Sequence, residues 1–559
     1  MSLKLRGFTT KYATRSSPSS LWAGRALPRV EALLAVILTG LAAYLGLRFA
    51  TEAGPLWRDE VSTVHLATLP RFADVLGALH LDSAPALYPT LLRLWSSPGW
   101  PDPDAAFRFS GFLVALAAAG AVWAAARTLA VQAPLLGVML FCLHPSVIQT
   151  LGTLKPYGAG AVFVVLAFGA IWRLASAPGP RAMLWAVAAS VLAVQTLYHS
   201  ALLILALCLA AAAVKASVRD WRGVLCVAAP GLAAAASLVP YVRVIVRSQD
   251  WRPLSQIEPG TGHYLVRLLN IFSFWNPWLM ALWLAAGALA LLAAAYTLLR
   301  SGSRWAQADQ GRLVYVLATM VGGAGLLLGF LASAGRNAEA WHLVPLLALV
   351  ALGLDVVLSP SLRLRLARLA VVGCAIVVMV PLSARWTGVR QTNADVMATY
   401  LEQSARPGDL IVVNPWFVGI TFARYYRGGV PWVTIPPMED LRIHRYDLLK
   451  RRMAAPAPLA PLRQAILTTL EGGHRLWLVH FPWLMKFPAE GDVPAPLPPA
   501  PGAPSGWRDS PYGLAWSREI EHLVQTHALR SEVVAVKVGR PVWWAESVAL
   551  LRAEGWRGP

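Results

Sequence analysis

The sequence predicts a polytopic α-helical membrane protein of about eleven transmembrane helices, followed by a soluble C-terminal α/β domain. Three observations predict it. Of 559 residues, 57% are hydrophobic and only 14% charged, against about a quarter charged in soluble domains. Apolar runs of bilayer-crossing length, about 20 residues each, recur from residue 31 to residue 384. Beyond 385 the pattern changes to short strand-like runs alternating with helical ones.

The spans fall near 31–50, 107–126, 134–151, 157–174, 182–198, 200–215, 223–246, 277–298, 313–335, 342–359 and 368–384. The apolar run from Ala84 to Trp95 is too short to cross and reads as an interfacial helix. Basic residues set the direction. Lys4, Arg6, Lys11, Arg15, Arg25 and Arg29 precede the first span, which places residues 1–30 as a cytoplasmic tail. Alternation then puts the basic loops around Arg127, Arg173, Lys215, Arg304 and Arg363 inside. It puts loop 51–106 and everything after 385 outside. The expected domains are therefore 1–30, a membrane domain over 31–384, and an extracytoplasmic α/β domain over 385–559, in a multi-pass protein of the cytoplasmic (inner) membrane.

The net charge of +20 follows from these topogenic loops, and no motif points to nucleic acid. Cys142, Cys208, Cys226 and Cys374 all sit in apolar runs, without metal-ligand spacing. In the tail, "RPGDLIVVNPW", "VPWVTIP", "HRLWLVHFPW" and "EVVAVKVG" read as strands and "GITFARYYRGG" as a helix. The Pro-rich stretch 487–511 reads as an irregular loop.

The candidate chemistry begins just after the first span. "GPLWRDEVSTVHLATL" presents Asp59 and Glu60 side by side at the start of an amphipathic helix expected on the membrane surface. Asp59 is placed to cap that helix, and Glu60 is less suited to capping. Two adjacent acids beside apolar surface should raise the proton affinity of at least one, which suits a general base. Further on, "HLDSAPALYPTLLRLW" carries Asp82 and Tyr88, and "QTLGTLKPYGAG" carries Lys155 and Tyr157 at an outer span end. Lys155 there can snorkel or hold an anion. Tyr198 and His199 form a tight turn between spans. Arg243, Arg247 and Arg252, then Arg336, Glu339 and His342, gather on the same outer side. Carboxylates on one loop and cations on others suit a reaction with an anionic leaving group. No HExxH or CxxC spacing supports a metal. No Walker loop or Gly-rich turn supports a nucleotide donor. Nothing demands a cofactor, and a divalent cation is neither required nor ruled out.

In this order of parts the sequence resembles the GT-C superfamily of membrane glycosyltransferases, especially the branch with protein O-mannosyltransferases and bacterial aminoarabinose lipid A transferases. The family's Asp-Glu pair falls on Asp59 and Glu60. Its Asp-x-His-Pro-Pro-Leu-Tyr element falls on Asp82, Ser83, Ala84, Pro85, Ala86, Leu87 and Tyr88, with Ala84 where His is usual and Ala86 where Pro is usual. Its Arg-x-Tyr element falls on Lys155, Pro156 and Tyr157, with Lys in place of Arg, and Tyr198-His199 reverses its His-Tyr turn.

The resemblance implies sugar transfer from a polyprenyl-phosphate donor to a lipid, glycan or protein acceptor on the outer face, among membrane lipids. It implies Asp59 as base with Glu60 beside it. Lys155, Arg247 and Arg336 would hold the phosphate, and Asp82, Tyr88, Tyr157, Tyr198, His199 and His342 would line the substrate cavity. The alternative is a transporter or flippase of lipid-linked sugars using the same cavity. It would need ionisable residues along a path or paired broken helices, and the charges instead cluster at span ends.

Overall fold

The structure is a computed structural model. It describes residues 18–82, 84–251, 254, 257, 260, 262–300, 308–485, 494–500, 503 and 506–558. Lys4, Arg6, Lys11, Arg15, Ser83, Arg252 and Arg304 lie outside the described residues.

Helix α1 (Pro18–Glu52) is followed by the first loop, which folds as α2 (Arg58–Ala67), α3 (Phe72–Ala78) and α4 (Leu87–Ser96). Then come α5 (Pro103–Thr128), α6 (Pro145–Gly152), α7 (Pro156–Ser176), α8 (Pro180–Thr196) and α9 (Ser200–Ser217). Four of these begin on proline, whose missing N–H costs nothing in the first turn. α10 (Trp221–Ser237) continues through a short turn into α11 (Val242–Arg247). α12 (His263–Ser273), α13 (Pro277–Arg300), α14 (Ala308–Ser333), α15 (Ala340–Val357) and α16 (Leu362–Trp386) complete the helical region.

Nine helices among the described residues are long and apolar enough to cross a membrane, so the chain is a multi-pass membrane protein. Two of the eleven expected spans are not among them. The span expected at 182–198 is α8, a helix of only 17 residues. The one expected at 134–151 is not a single helix. It runs as a π-helical turn over Gly137–Cys142, breaks at Leu143 and His144, and restarts as α6 at Pro145. Proline cannot donate the hydrogen bond that would continue the first piece. The Leu143 carbonyl at the break accepts from Ser383 Oγ at 2.5 Å, which satisfies a polar group that hydrocarbon could not.

Both ends of the broken segment are tied to buried carboxylates. At one end the N–H groups of Leu136 and Gly137 donate to Asp355 at 3.0 and 2.7 Å. Asp355 lies 3.3 Å from Arg368, which lies 2.8 Å from Glu31. At the other end Leu154 N donates to Glu60 at 3.0 Å.

After α17 (Ala394–Ser404) the chain forms a five-stranded sheet, ordered β2-β1-β3-β5-β4. β1 (Leu410–Asn414) pairs in parallel with β2 (Trp432–Thr434) and β3 (Leu476–His480). β5 (Ala549–Trp556) runs antiparallel to β3 and to β4 (Ala528–Val534). α18 (Val418–Tyr425), α19 (Tyr446–Ala454), α20 (Ala460–Glu471) and α21 (Asp509–His527) accompany it. The α/β expectation for the tail thus holds, with two changes. β4 starts earlier than "EVVAVKVG" and stops at Val534, and β5 had no counterpart in the strands expected from sequence. Trp416 and Trp477 are buried in this region, whereas Trp483 and Trp544 are exposed.

The tail is not an appendage. One apolar core contains Leu56, Val61 and Val64 of the first loop together with Val412, Trp416 and Leu478 of the sheet region. α2 is therefore packed into this core, with seven of its residues buried, which is more burial than the one-sided contact its amphipathic pattern suggested. Leu56 N donates to Tyr425 Oη at 2.7 Å, Tyr425 Oη donates to Asp104 at 2.6 Å, and Gln391 N donates to the Ala53 carbonyl at 2.8 Å.

Candidate active site

The site forms where α2, the α6–α7 junction and one edge of the sheet meet. α2 starts at Arg58, with Trp57 in the capping position. Glu60, not Asp59, serves the cap: its Oε2 accepts from Trp57 N at 3.2 Å. Arg93 of α4 closes the other end of α2 by donating to the carbonyls of Ala67 and Pro70 at 3.1 and 3.0 Å.

Glu60 is fully buried. Its Oε1 accepts from Arg108 of α5 as well as from Leu154 N. Arg108 also donates to the Pro55 carbonyl at 2.8 Å. Glu60 thus ties α2, α5 and the α6–α7 junction together. This corrects its expected catalytic place beside Asp59: successive residues of a helix point in different directions, and Glu60 points into the protein. Burial pushes its carboxyl up from the ordinary value, against the opposing pull of Arg108. This is the raised member of the acidic pair.

Asp59 faces the other way, with its side chain 29% exposed. It is less open to water than its loop position suggested. Arg58 Nε and His444 Nε2 each lie 3.4 Å from its Oδ1. Burial opposes its ionisation, but His444, Lys155 and Arg58 outweigh burial and hold the carboxyl below the usual range. Burial also pushes His444 down to about 4. The imidazole is therefore neutral at pH 7, and Lys155 and Arg58 are the standing charges on Asp59.

Lys155 precedes α7, and its Nζ lies 3.8 Å from Asp82 Oδ1. Tyr157 in the next turn senses the charges of Asp59, Asp82 and Arg336. Its ring stacks on His199 at 6.3 Å and meets His342 edge-on at 6.2 Å. Asp59, Asp82, Lys155, Tyr157, His199, Arg336 and His342 therefore belong to one neighbourhood. Tyr198 turns toward Tyr241, with 5.9 Å between ring centroids, and Tyr88 is buried beside Glu60 and Asp82. Both stand behind the pocket wall. Burial pushes His199 down to about 4. Arg247 is the misplaced expectation. It is exposed at the end of the short α11 and makes no ion pair with the cluster among the described residues. No group of three His, Cys, Asp or Glu side chains that could hold a metal occurs among the described residues.

Sequence reasoning missed His444, Tyr446, Phe417 and Glu546, all from the tail. Tyr446 stacks on His444 at 5.6 Å, and Trp251 stacks on Tyr446 at 5.5 Å. The only signal was "RIHRYDLL", a loop with His and Tyr between arginines, and its spacing says nothing about α2.

No family model and no curated protein matches the sequence. Solved structures do. The chain is similar to apo ArnT from Cupriavidus metallidurans, at 13% identity and a TM-score of 0.49, over 80% of this chain and 92% of that one. The same protein bound to undecaprenyl phosphate gives 12% identity and a TM-score of 0.48, over 80% and 93%. The mycobacterial arabinofuranosyltransferase AftD gives 17% identity and a TM-score of 0.43, over 94% of this chain and 40% of that one. The chemistry of the site rests on its own residues.

Proposed function

We propose that this chain transfers a sugar from a polyprenyl-phosphate carrier to an acceptor hydroxyl or amine at the outer face of the cytoplasmic membrane. The observation that carries the reading is that Lys155 lies close enough to Asp59 for its charge to act on that carboxyl, at the end of the bundle where the sheet also sits. Asp59 takes the acceptor's proton as the acceptor oxygen or nitrogen bonds to the anomeric carbon. The bond from that carbon to the phosphate oxygen breaks, and the carrier leaves as its phosphate anion. Lys155 and Arg336 stabilise that anion. Attack opposite the leaving phosphate inverts the anomeric centre. The lowered pKa of Asp59 keeps it ionised at neutral pH, so it is always ready to accept a proton. It is also a modest base, so alignment must supply much of its effect.

The test uses the protein in vesicles with a radiolabelled undecaprenyl-phosphate sugar and native envelope acceptor. Release of free undecaprenyl phosphate only when acceptor is present supports transfer. Movement of intact labelled donor across the bilayer without bond cleavage would instead establish the transporter. Lys155→Ala should weaken binding of undecaprenyl phosphate about 10-fold or more, since one pocket cation is gone, and Lys155→Arg should retain most of it.

A further inference from the structure

The site residues contributed by the tail are not scattered. In an open α/β sheet, ligands gather outside the carboxyl ends of the parallel strands. Trp416 and Phe417 follow the end of β1 at Asn414, and His444 lies on the connection that follows β2. β5 enters antiparallel beside the end of β3, with Ala549 opposite His480, so Glu546 just before it reaches the same edge. That edge rests on the first turn of α2. His444 N donates to Ser62 Oγ at 3.2 Å, and Trp57 packs edge-on to Trp543 at 5.0 Å.

Asp59 is thereby held from two sides. His444 touches it directly at 3.4 Å and is itself gripped between Trp416 and Tyr446, with centroids at 6.1 and 5.6 Å. Arg58, the other neighbour, is held in turn by the tail. Its guanidinium lies 4.1 Å from the Phe417 ring centroid, within the range of a cation–π contact. Its Nε lies 3.2 Å from the fully buried Glu546. Without the tail, Asp59 would lose His444, and Arg58 would lose Phe417 and Glu546 and keep the Trp57 ring at 5.7 Å.

We propose that the active centre is composite: His444 directly, and Phe417 and Glu546 through Arg58, are positioning residues that align Asp59, so the C-terminal α/β region is a working part of the site. This rests on the reading of Asp59 as the base. Tyr157, Tyr446 and Lys155 also face Asp59. Of these, Tyr446 belongs to the tail, and Lys155 is shared with Asp82.

The experiment compares full-length His444→Phe, His444→Gln, Phe417→Leu and Asp59→Asn in vesicles, with radiolabelled undecaprenyl-phosphate sugar as the probe. His444→Phe keeps the ring between Trp416 and Tyr446 and removes the N–H. Misalignment of a catalytic group costs on the order of 10²-fold. We expect kcat to fall about 10–100-fold in His444→Phe and Phe417→Leu, with donor KM within about 2-fold of the parent. His444→Gln, which restores an N–H donor, should recover most of the rate. Parental kcat in both His444→Phe and Phe417→Leu, or a raised donor KM with unchanged kcat, would overturn the inference. An active Asp59→Asn would overturn the reading of the base itself and the inference with it. If His444→Phe does not fold, Phe417→Leu alone decides, because it lies at the edge of the site and keeps an apolar side chain.

Discussion

His444 Nε2 stands 3.4 Å from Asp59 Oδ1, although one residue follows the first span and the other belongs to the sheet region near the far end of the chain. The contact joins the membrane bundle to the tail at a carboxylate that Lys155 and Arg58 also face. Four outcomes follow from this arrangement.

Asp59→Asn should lower transfer by about 10²–10⁴-fold, the usual worth of a positioned base, with little change in donor binding. The side chain is partly exposed and its pKa is lowered by neighbours that include Lys155 and Arg58. The rate of the parent should therefore not fall between pH 7 and pH 5 through this group. A steady-state profile across that range checks both points.

Glu60→Gln should act on stability first. The carboxylate and Arg108 are a buried pair, with side chains 0% and 3% exposed. Removing one partner leaves the other charge buried, at a cost of about 3–5 kcal/mol. Thermal unfolding in detergent should show a clear loss of stability for Glu60→Gln and a small one for Asp59→Asn. Equal losses would mean that the two neighbours share one role.

Glu546 gives a pH dependence of opposite sign to that of an ordinary paired acid. Burial is the main cause that pushes it up to about 8, with Asp59 and Glu60 adding to the rise and Arg58 opposing it. Between the ordinary value of 4.5 and about 8, the folded state keeps a proton that the unfolded chain has lost. Stability should therefore decline as pH rises through that window, by a few kcal/mol in total. Glu546→Gln should remove this part of the dependence, read as unfolding midpoints from pH 5 to pH 9.

Gly111→Ala tests how the bundle sets Lys155. A Cβ at Gly111 would lie 2.3 Å from the Gly152 carbonyl oxygen, so α5 and α6 would have to separate. Overpacking of this kind costs about 1–3 kcal/mol. Because Gly152 ends the helix just before Lys155, the same shift should weaken binding of undecaprenyl phosphate. Gly120→Ala, on the same helix with nothing within 4 Å, is the control and should change neither.

The gathering of one set of polar residues was legible in the sequence. Asp59, Asp82, Lys155, Tyr157, His199, Arg336 and His342 are polar groups at the ends of apolar runs, and topology alone collects such residues at one face. Direction was not legible. The pattern could not say that Glu60 would turn inward to meet Arg108, nor that Arg247 would turn out to solvent. Those choices depend on which neighbour each side of a helix meets.

What the sequence by itself determined was the membrane-crossing character, the placing of most spans, and the change to alternating strands and helices after 385. These follow from hydrophobic runs and their period, which are local properties of the chain. Only the tertiary structure decided that the segment at 134–152 folds as two separate helical pieces, that α2 is buried against the α/β region, and that the tail supplies His444, Phe417 and Glu546. Burial and ion pairing join groups far apart in the chain. Nothing in their spacing records that the carboxyl edge of a small sheet will come to rest on the turn that carries Asp59.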